Sequence, residues 1–298
     1  RHGGELRRRS QGLTAVAVYL YDAVRTIRGK ARPDGALAAL KPQDLVAGLV
    51  DGLEARGQAP RSAESLVLGC VGQFGDQGGN IALVSKLRAG VAESASAFTL
   101  NNYCVSGLTA IGHAAAQVQA GVVDRVLAGG VEMMSRVPFL GDHAAYYTDA
   151  SFPKRSRFIP VVLAADRLAQ AEGLSRAELD AVALASQQKA AAAEARPATF
   201  ASRVALGPMT ADECVRPQTT AASLAAMQPG FAALAEQYAD ALDGPIDHRH
   251  TIGHAPPVCD GAGLAVIGGE PGNGPRPRAR IRAWAETGRT GRCVMITI

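Results

Sequence analysis

Two periods of apolar residues alternate along this chain. An apolar run at residues 16–21 predicts a strand, followed by turn residues around Gly29 and Pro33. From Pro42 the leucines recur every four residues, at Leu45, Leu49 and Leu53, which is the spacing of one helix face. Proline suits the first turn of that helix because no amide hydrogen is left unpaired there, and Gly57 marks its stop. Residues 66–68 predict a short buried strand. The Gly-rich loop 72–79 leads to a helix over 81–87, a strand near 98–100, a helix over 105–120 closed by Gly121, and a strand at 126–128. Strands alternating with helices predict an α/β layer with parallel strands.

The texture changes after Ser135. Residues 136–160 are irregular and dotted with Phe139, Tyr146, Tyr147, Phe152 and Phe158. Ser175 and Glu178 read as a capping box, each satisfying a backbone amide that the helix start would orphan, and the Ala-rich run carries that helix to about Glu194. Another helix is expected after the Thr219-Thr220 pair, carrying Leu224, Met227 and, beyond Pro229, Phe231. Strand character returns at 264–267 and 279–284. The pattern therefore predicts one α/β unit, residues 14–135 with 250–275, interrupted by a mostly helical insertion at 136–249.

Composition narrows the class. With 298 residues, 47% apolar and 19% charged, the chain buries enough surface to exclude a disordered protein. No stretch approaches the ~20 apolar residues that a membrane span needs. The net charge of +4 is small, and Arg1, Arg7, Arg8 and Arg9 crowd one end. No aromatic-interleaved basic face follows them, so nucleic-acid binding is not expected, and no apolar stretch of secretory length follows either. The basic end reads as a leader remnant, a cloning scar or a solvated tail. Cys70, Cys104, Cys214, Cys259 and Cys293 are an odd, unpaired set, which argues against a disulfide framework and fits a reducing compartment.

The strongest local signal is Asn101-Asn102-Tyr103-Cys104-Val105-Ser106-Gly107-Leu108. It places a cysteine where a strand turns into a helix. Unpaired amides and the helix dipole stabilise a thiolate at such a terminus, as a nucleophilic cysteine requires. A buried, inert cysteine is the other reading of this position. The helix that follows is apolar over most of its circumference, with a narrow polar stripe of Thr109, His113 and Gln117, and is expected to be buried from more than one side. Elsewhere, His248, His250 and His254 have ligand-like spacing but no evident fourth ligand, so no metal is expected. The 72–79 loop matches no nucleotide fingerprint and reads as a tight structural loop. Arg176, Glu178 and Asp180 read as a solvated helix face with capping duty.

Residues 101–138 resemble the active-site block of the thiolases, N-x-x-C-x-S-G, a helix, then A-G-G-x-E-x-M-S-x-x-P. The matching positions are Asn101, Cys104, Ser106, Gly107, Ala128-Gly129-Gly130, Glu132, Met134, Ser135 and Pro138. Residues 25–30 resemble the early R-T-P-x-G-K segment, 175–190 the S-R helix, 216–231 the R-x-x-T-T…P-x-F stretch, and Asp260-Gly261-Ala262 the D-G-A strand. The details look most like the β-oxidation (multifunctional-complex β-subunit) branch. The resemblance implies a thiolase-like layered α/β fold, with 136–249 as a CoA-binding loop domain and 276–298 as the first strand of a C-terminal half. It implies cleavage of 3-ketoacyl-CoA to acetyl-CoA and a shortened acyl-CoA, or the reverse, through a thioester on Cys104, as in fatty acid β-oxidation. Coenzyme A or acyl-CoA would be substrate, with no covalently bound cofactor. Arg216, Ser223 and Phe231 fall on positions contacting the nucleotide part of CoA, and Ile252, Pro256 and Val258 on the loop lining the pantetheine tunnel. A homodimer or homotetramer, a possible hydratase/dehydrogenase partner, and a cytoplasmic or mitochondrial-matrix location are also implied.

Three departures stand out. Gly253-His254-Ala255-Pro256-Pro257 replaces the family's G-N-x-S-G, so proline stands where a serine meets the ligand. Pro160 stands where many thiolases have a histidine. The N-E-A-F, G-H-P and C-x-G blocks of the second half do not occur as an ordered set before Ile298, so stand-alone activity is not expected from residues 1–298. A non-catalytic CoA-binding or scaffolding relative, and a cysteine condensing enzyme of ketosynthase type, are the alternative readings. Loss of the partner half is expected to leave Leu108, Ile111 and Val118 facing water.

Overall fold

Parallel and antiparallel strands share one sheet. The computed structural model describes residues 16–207, 209–272 and 274–286. Its strands are β1 (Val18–Arg25), β2 (Gly29–Lys30), β3 (Ser65–Gly69), β4 (Ser96–Leu100), β5 (Arg125–Met133), β6 (Cys259–Gly268) and β7 (Ala279–Ile281). They run in the order β4-β3-β5-β6-β1-β7, with β2 beside β6. The expected parallel layer holds for β4, β3 and β5, which pair in parallel. The other half differs: β6 is antiparallel to both β5 and β1, and β7 is antiparallel to β1. The insertion is the reason. Residues 134–258 leave the sheet after β5 and return to its end, so β6 retraces β5 directly without a crossover helix.

Helices cover both faces, as parallel strands require. On one face, α1 (Pro42–Ala55) and α2 (Ile81–Ala89) bury Leu45, Leu49, Leu53 and Ile81 against Leu66, Leu68, Leu127 and Leu264. On the other, α3 (Ser106–Gln119) lays Ala110, Ala114, Ala115 and Val118 on Val67, Val126, Ala128 and Ile267. Alternate residues of β3 thus serve opposite cores, and all five are buried. The expected burial of α3 from more than one side is not what the structure shows. Val118 is buried at 2% exposure and Ile111 is half-buried, but Leu108 is 60% exposed. His113 is exposed too, 6.2 Å from the Trp284 ring.

In the insertion, α4 (Val161–Ala171) opens at Pro160, whose carbonyl accepts the amides of Leu163 and Ala164. Sequence periodicity did not predict this helix. The capping box forms as expected at the start of α5 (Arg176–Glu194). The helix expected after Thr220 is two short ones, α6 (Ala221–Ala225) and α7 (Ala232–Gln237), because Pro229-Gly230 breaks the run between them. The expected strand at 279–284 ends at Ile281, and its continuation past residue 286 lies outside the described residues, as do the basic N-terminal end and Cys293.

A largely buried carboxylate ties the insertion to the end of β1. Asp212 receives both Arg25 guanidinium nitrogens at 2.8 Å and the Arg28 amide at 2.7 Å, and Arg203 adds a bond at 3.0 Å. Burial pushes its pKa up, but these bonds and charges outweigh burial and hold it below the ordinary carboxylate range. A folded-state pKa below the unfolded value gives stability that is full above about pH 4 and is lost as pH falls through the folded value. Thermal unfolding followed from pH 5 down to pH 2.5 is therefore expected to show a falling melting temperature, and Asp212→Asn is expected to flatten that acid limb. An acid limb as steep in the variant as in the wild type would contradict the assignment.

Candidate active site

The chain leaves β4 at Leu100 and reaches α3 at Ser106 through a turn that its own polar side chains hold. Asn101 accepts the Tyr103 amide at 2.9 Å, while its side-chain nitrogen donates to the Val71 carbonyl at 3.3 Å. Ser106 donates to the Tyr103 carbonyl at 2.6 Å and accepts the Asn102 amide at 2.8 Å. Asn102 donates to the Thr109 hydroxyl at 2.9 Å. Tyr103 takes up the strain, with a left-handed φ of 48° that a non-glycine residue rarely adopts. Asn101, Asn102 and Ser106 are thereby committed to backbone or neighbouring side chains. Cys104 stands exposed in the middle of the turn, two residues before α3 begins. It lies beyond the carboxyl ends of the parallel strands, where open α/β sheets bind ligands.

The motif residues around it are chiefly structural. Glu132 accepts the amides of Val71 at 2.8 Å and Gly72 at 3.3 Å and the Gln77 side chain at 2.5 Å, which pins the loop after β3. Ser135 donates its amide and hydroxyl to the two oxygens of Asp260, at 2.9 and 2.6 Å, and so ties the end of β5 to β6. A Cβ on Gly130 would sit 2.9 Å from the Gly69 carbonyl oxygen, so glycine is what lets these backbones approach. The 72–79 loop is a tight one, with a 3-10 turn at Gly75–Gln77 and Asn80 capping α2. Cys70, 1% exposed, is the contrasting thiol: burial and then the Glu132 charge push its pKa up to about 12.

The other expected site residues fall on the insertion and the strand that follows it. The Arg216 amide donates to Gln187 at 2.7 Å, and Phe231 precedes α7. Ser223 is exposed, but its hydroxyl donates to the Thr220 carbonyl at 2.8 Å and accepts the Thr220 amide, so it caps α6. Ile252, Pro256 and Val258 are exposed on the segment entering β6. The structure brings this segment against the α6–α7 connection. A Cβ on Gly253 would lie 2.9 Å from both Leu224 and Met227, and the Gly230 amide donates to the His250 carbonyl.

What holds that junction was not visible in the sequence. Asp180, expected to be solvated, is 13% exposed; it binds Arg176 Nε at 2.8 Å and His254 Nε2 at 2.7 Å. Arg176 reaches on to the carbonyls of Leu224 and Met227. Asp166, fully buried, binds the Nδ1 atoms of His248 and His250 and the amides of Arg249 and His250. The three histidines are thus carboxylate-bound, and among the described residues no group of three or more such side chains is placed to hold a metal. The Arg176–Asp180 spacing of four is the one signal that pointed to part of this network. A shallow cavity of about 510 Å³ lined by Ser175, Arg176, Pro229 and His248 holds none of the expected site residues.

Comparison with known proteins converges on one family. The family described as "Thiolase, N-terminal domain" matches residues 18–270. The chain is 33% identical over 300 residues to a beta-ketoadipyl-CoA thiolase of Pseudomonas putida, covering 91% of this chain and 71% of that protein. It is 32% identical over 286 residues to a 3-ketoacyl-CoA thiolase of Aliivibrio fischeri, covering 91% and 70%. Human mitochondrial 3-ketoacyl-CoA thiolase in complex with CoA superposes with a TM-score of 0.71 at 27% identity, over 86% of this chain and 65% of that one. The acetyl-CoA acetyltransferase of Bacillus anthracis gives 0.71 at 26%, over 87% and 67%. The chain therefore spans about two thirds to seven tenths of the length of these relatives.

Proposed function

The chain belongs to the thiolase family of CoA-dependent acyltransferases, and on that premise we propose that it carries acyl groups as a thioester on Cys104. One observation carries the reading: an exposed thiol stands in a turn whose polar neighbours are already committed, at the open end of the parallel strands. In the cleaving direction the Cys104 thiolate attacks the 3-keto carbon of a 3-ketoacyl-CoA. The bond between that carbon and the acetyl part breaks, and the acetyl-CoA carbanion takes a proton and leaves. The thiol of a second CoA then attacks the Cys104 thioester, giving the shortened acyl-CoA and the free thiolate. The Cys104 amide stabilises the developing oxyanion, and both proton transfers belong to the histidine and cysteine blocks that the resemblance places in the second half of the fold.

In this reading residues 14–135 and 250–275 supply the nucleophile half, and 136–249 receives CoA. The contact between the α6–α7 connection and the 250–258 segment supports it, since Ser223, Phe231, Ile252, Pro256 and Val258 then share one region with Arg216 upstream. A second copy of the chain would pair along β4, the terminal strand of the sheet, where Phe98 is exposed. A reducing compartment such as the cytoplasm keeps the thiol free. Among the described residues no helix is long and apolar enough to cross a membrane.

The test is acylation. Incubation with acetyl-CoA, acid quenching and peptide mapping are expected to place an acetyl thioester on the Cys104 peptide and to leave the Cys70 peptide unmodified. No label, or label on Cys214 or Cys259 alone, would overturn the reading.

A further inference from the structure

The two segments that flank Cys104 carry no lysine or arginine. Residues 94–123, which include the whole nucleophile turn and α3, contain no Asp, Glu, Lys or Arg. Residues 137–153, which follow β5, contain no Lys or Arg, and carry Asp142 and Asp149 among Phe139, Tyr146, Tyr147 and Phe152. Both segments rest on the turn at residues 71–75. Asn101 donates to Val71, and a Cβ on Gly72 would lie 2.7 Å from Val137. On the other side, a Cβ on Gly141 would lie 2.8 Å from the Phe74 ring.

An aromatic cluster continues from there. The Tyr146 ring meets Phe152 edge-on at 5.2 Å and Phe158 at 6.1 Å, and Tyr147 lies 4.8 Å from Phe158. Tyr103, the residue before Cys104, is half exposed. The two segments meet beside the nucleophile through their shared contact with residues 71–75, and burial, then the nearby Tyr146 and Asp142, push the Tyr103 phenol pKa up. Asp142 accepts the Tyr147 hydroxyl at 3.0 Å. The flanking arginines are committed elsewhere: Arg136 to Asp76 and the Ala38 carbonyl, Arg157 to the carbonyls of Phe152, Ala150 and Asp240.

From this arrangement we infer that the acyl group accepted at Cys104 is uncharged and apolar, aryl chains included, and that Asp142 turns away chains ending in a carboxylate. The inference rests on the acyl-transfer reading above and adds the substrate class. A flat or branched apolar chain gains contact with the Tyr103 and Tyr146 rings. A terminal carboxylate would approach Asp142, which pairs with no cation among the described residues, and like charges in a partly desolvated site repel. Similarity to relatives named for beta-ketoadipyl-CoA, a substrate with such a carboxylate, therefore does not extend to the acyl group.

Three thioesters separate the possibilities: butyryl-CoA, phenylacetyl-CoA and succinyl-CoA. In each case the Cys104 thiolate attacks the thioester carbonyl, the bond from that carbon to the CoA sulfur breaks, and CoA leaves as a thiolate that takes a proton from water. Thioester formation on the Cys104 peptide is expected to be about tenfold faster with butyryl- and phenylacetyl-CoA than with succinyl-CoA. Asp142→Asn is expected to raise the succinyl rate severalfold relative to the butyryl rate. Succinyl-CoA reacting as fast as the others, as it would if exposed Lys154 or Arg155 met its carboxylate, overturns the inference and leaves acyl transfer standing. Failure of all three overturns acyl transfer, and the inference with it. Alkylation reads the charge independently: relative to free cysteine, Cys104 is expected to disfavour iodoacetate against iodoacetamide, and Asp142→Asn to restore the ratio. An unchanged ratio in the variant counts against Asp142.

Discussion

Cys104→Ser is expected to lower acylation by acetyl-CoA by about a thousandfold or more while leaving the melting temperature unchanged. The two thiols differ in what each one touches. Cys104 is exposed, and the hydrogen bonds that hold its turn run between Asn101, Asn102, Tyr103, Ser106 and Thr109 without it. Serine at this position therefore keeps the turn and loses only the nucleophile. Cys70 offers the control, because its sulfur accepts the Gln77 side chain at 3.3 Å inside the core and its pKa sits near 12. Cys70→Ser is expected to keep acylation in whatever protein folds. Peptide mapping and a thermal melt check both variants. Persistent acylation of Cys104→Ser, or a melting temperature lowered by several degrees, would contradict the account.

Gly129→Ala is expected to cost about 4 kcal/mol or more, enough to leave little folded protein. The atoms a new Cβ would meet are all backbone: the Gly263 carbonyl oxygen at 2.0 Å, its carbon at 2.8 Å and Leu264 Cα at 3.0 Å. No side chain can rotate away, so β5 and β6 would have to part along a ladder that runs from Arg125↔Gly268 to Met133↔Asp260. Gly107→Ala is the matched comparison, since nothing lies nearer than 4.0 Å and alanine is the better helix former at the start of α3. Urea melts are expected to show the first variant unfolded or far less stable and the second equal or slightly more stable. Similar midpoints for the two would refute the packing argument.

The central part of the fold was legible because its signals are local. Four-residue leucine spacing, a proline start and a glycine stop define α1, and Ser175 with Glu178 defines the start of α5. Sheet direction was not legible, because β5 and β6 are neighbours across an insertion of more than a hundred residues and no local pattern records that pairing. α4 was missed for a related reason: it begins at a proline after an irregular aromatic stretch, and its apolar face is set by what the insertion folds against. At the site, the cysteine turn was readable because Asn101, Asn102 and Ser106 all act within a few residues of it. The Asp166 and Asp180 junctions join positions more than seventy residues apart, and a charged residue looks solvated until its distant partner is seen.

The chain contains one tryptophan, and its place gives that residue a use. Trp284 lies across α3 so closely that a Cβ on Gly112 would come within 2.7 Å of the indole ring. Its emission colour therefore reports a single address, the outer surface of the helix that starts two residues after Cys104. Whatever lifts the closing segment from that helix, whether heat, acid or an arriving layer of protein, should register in the fluorescence spectrum without an added dye.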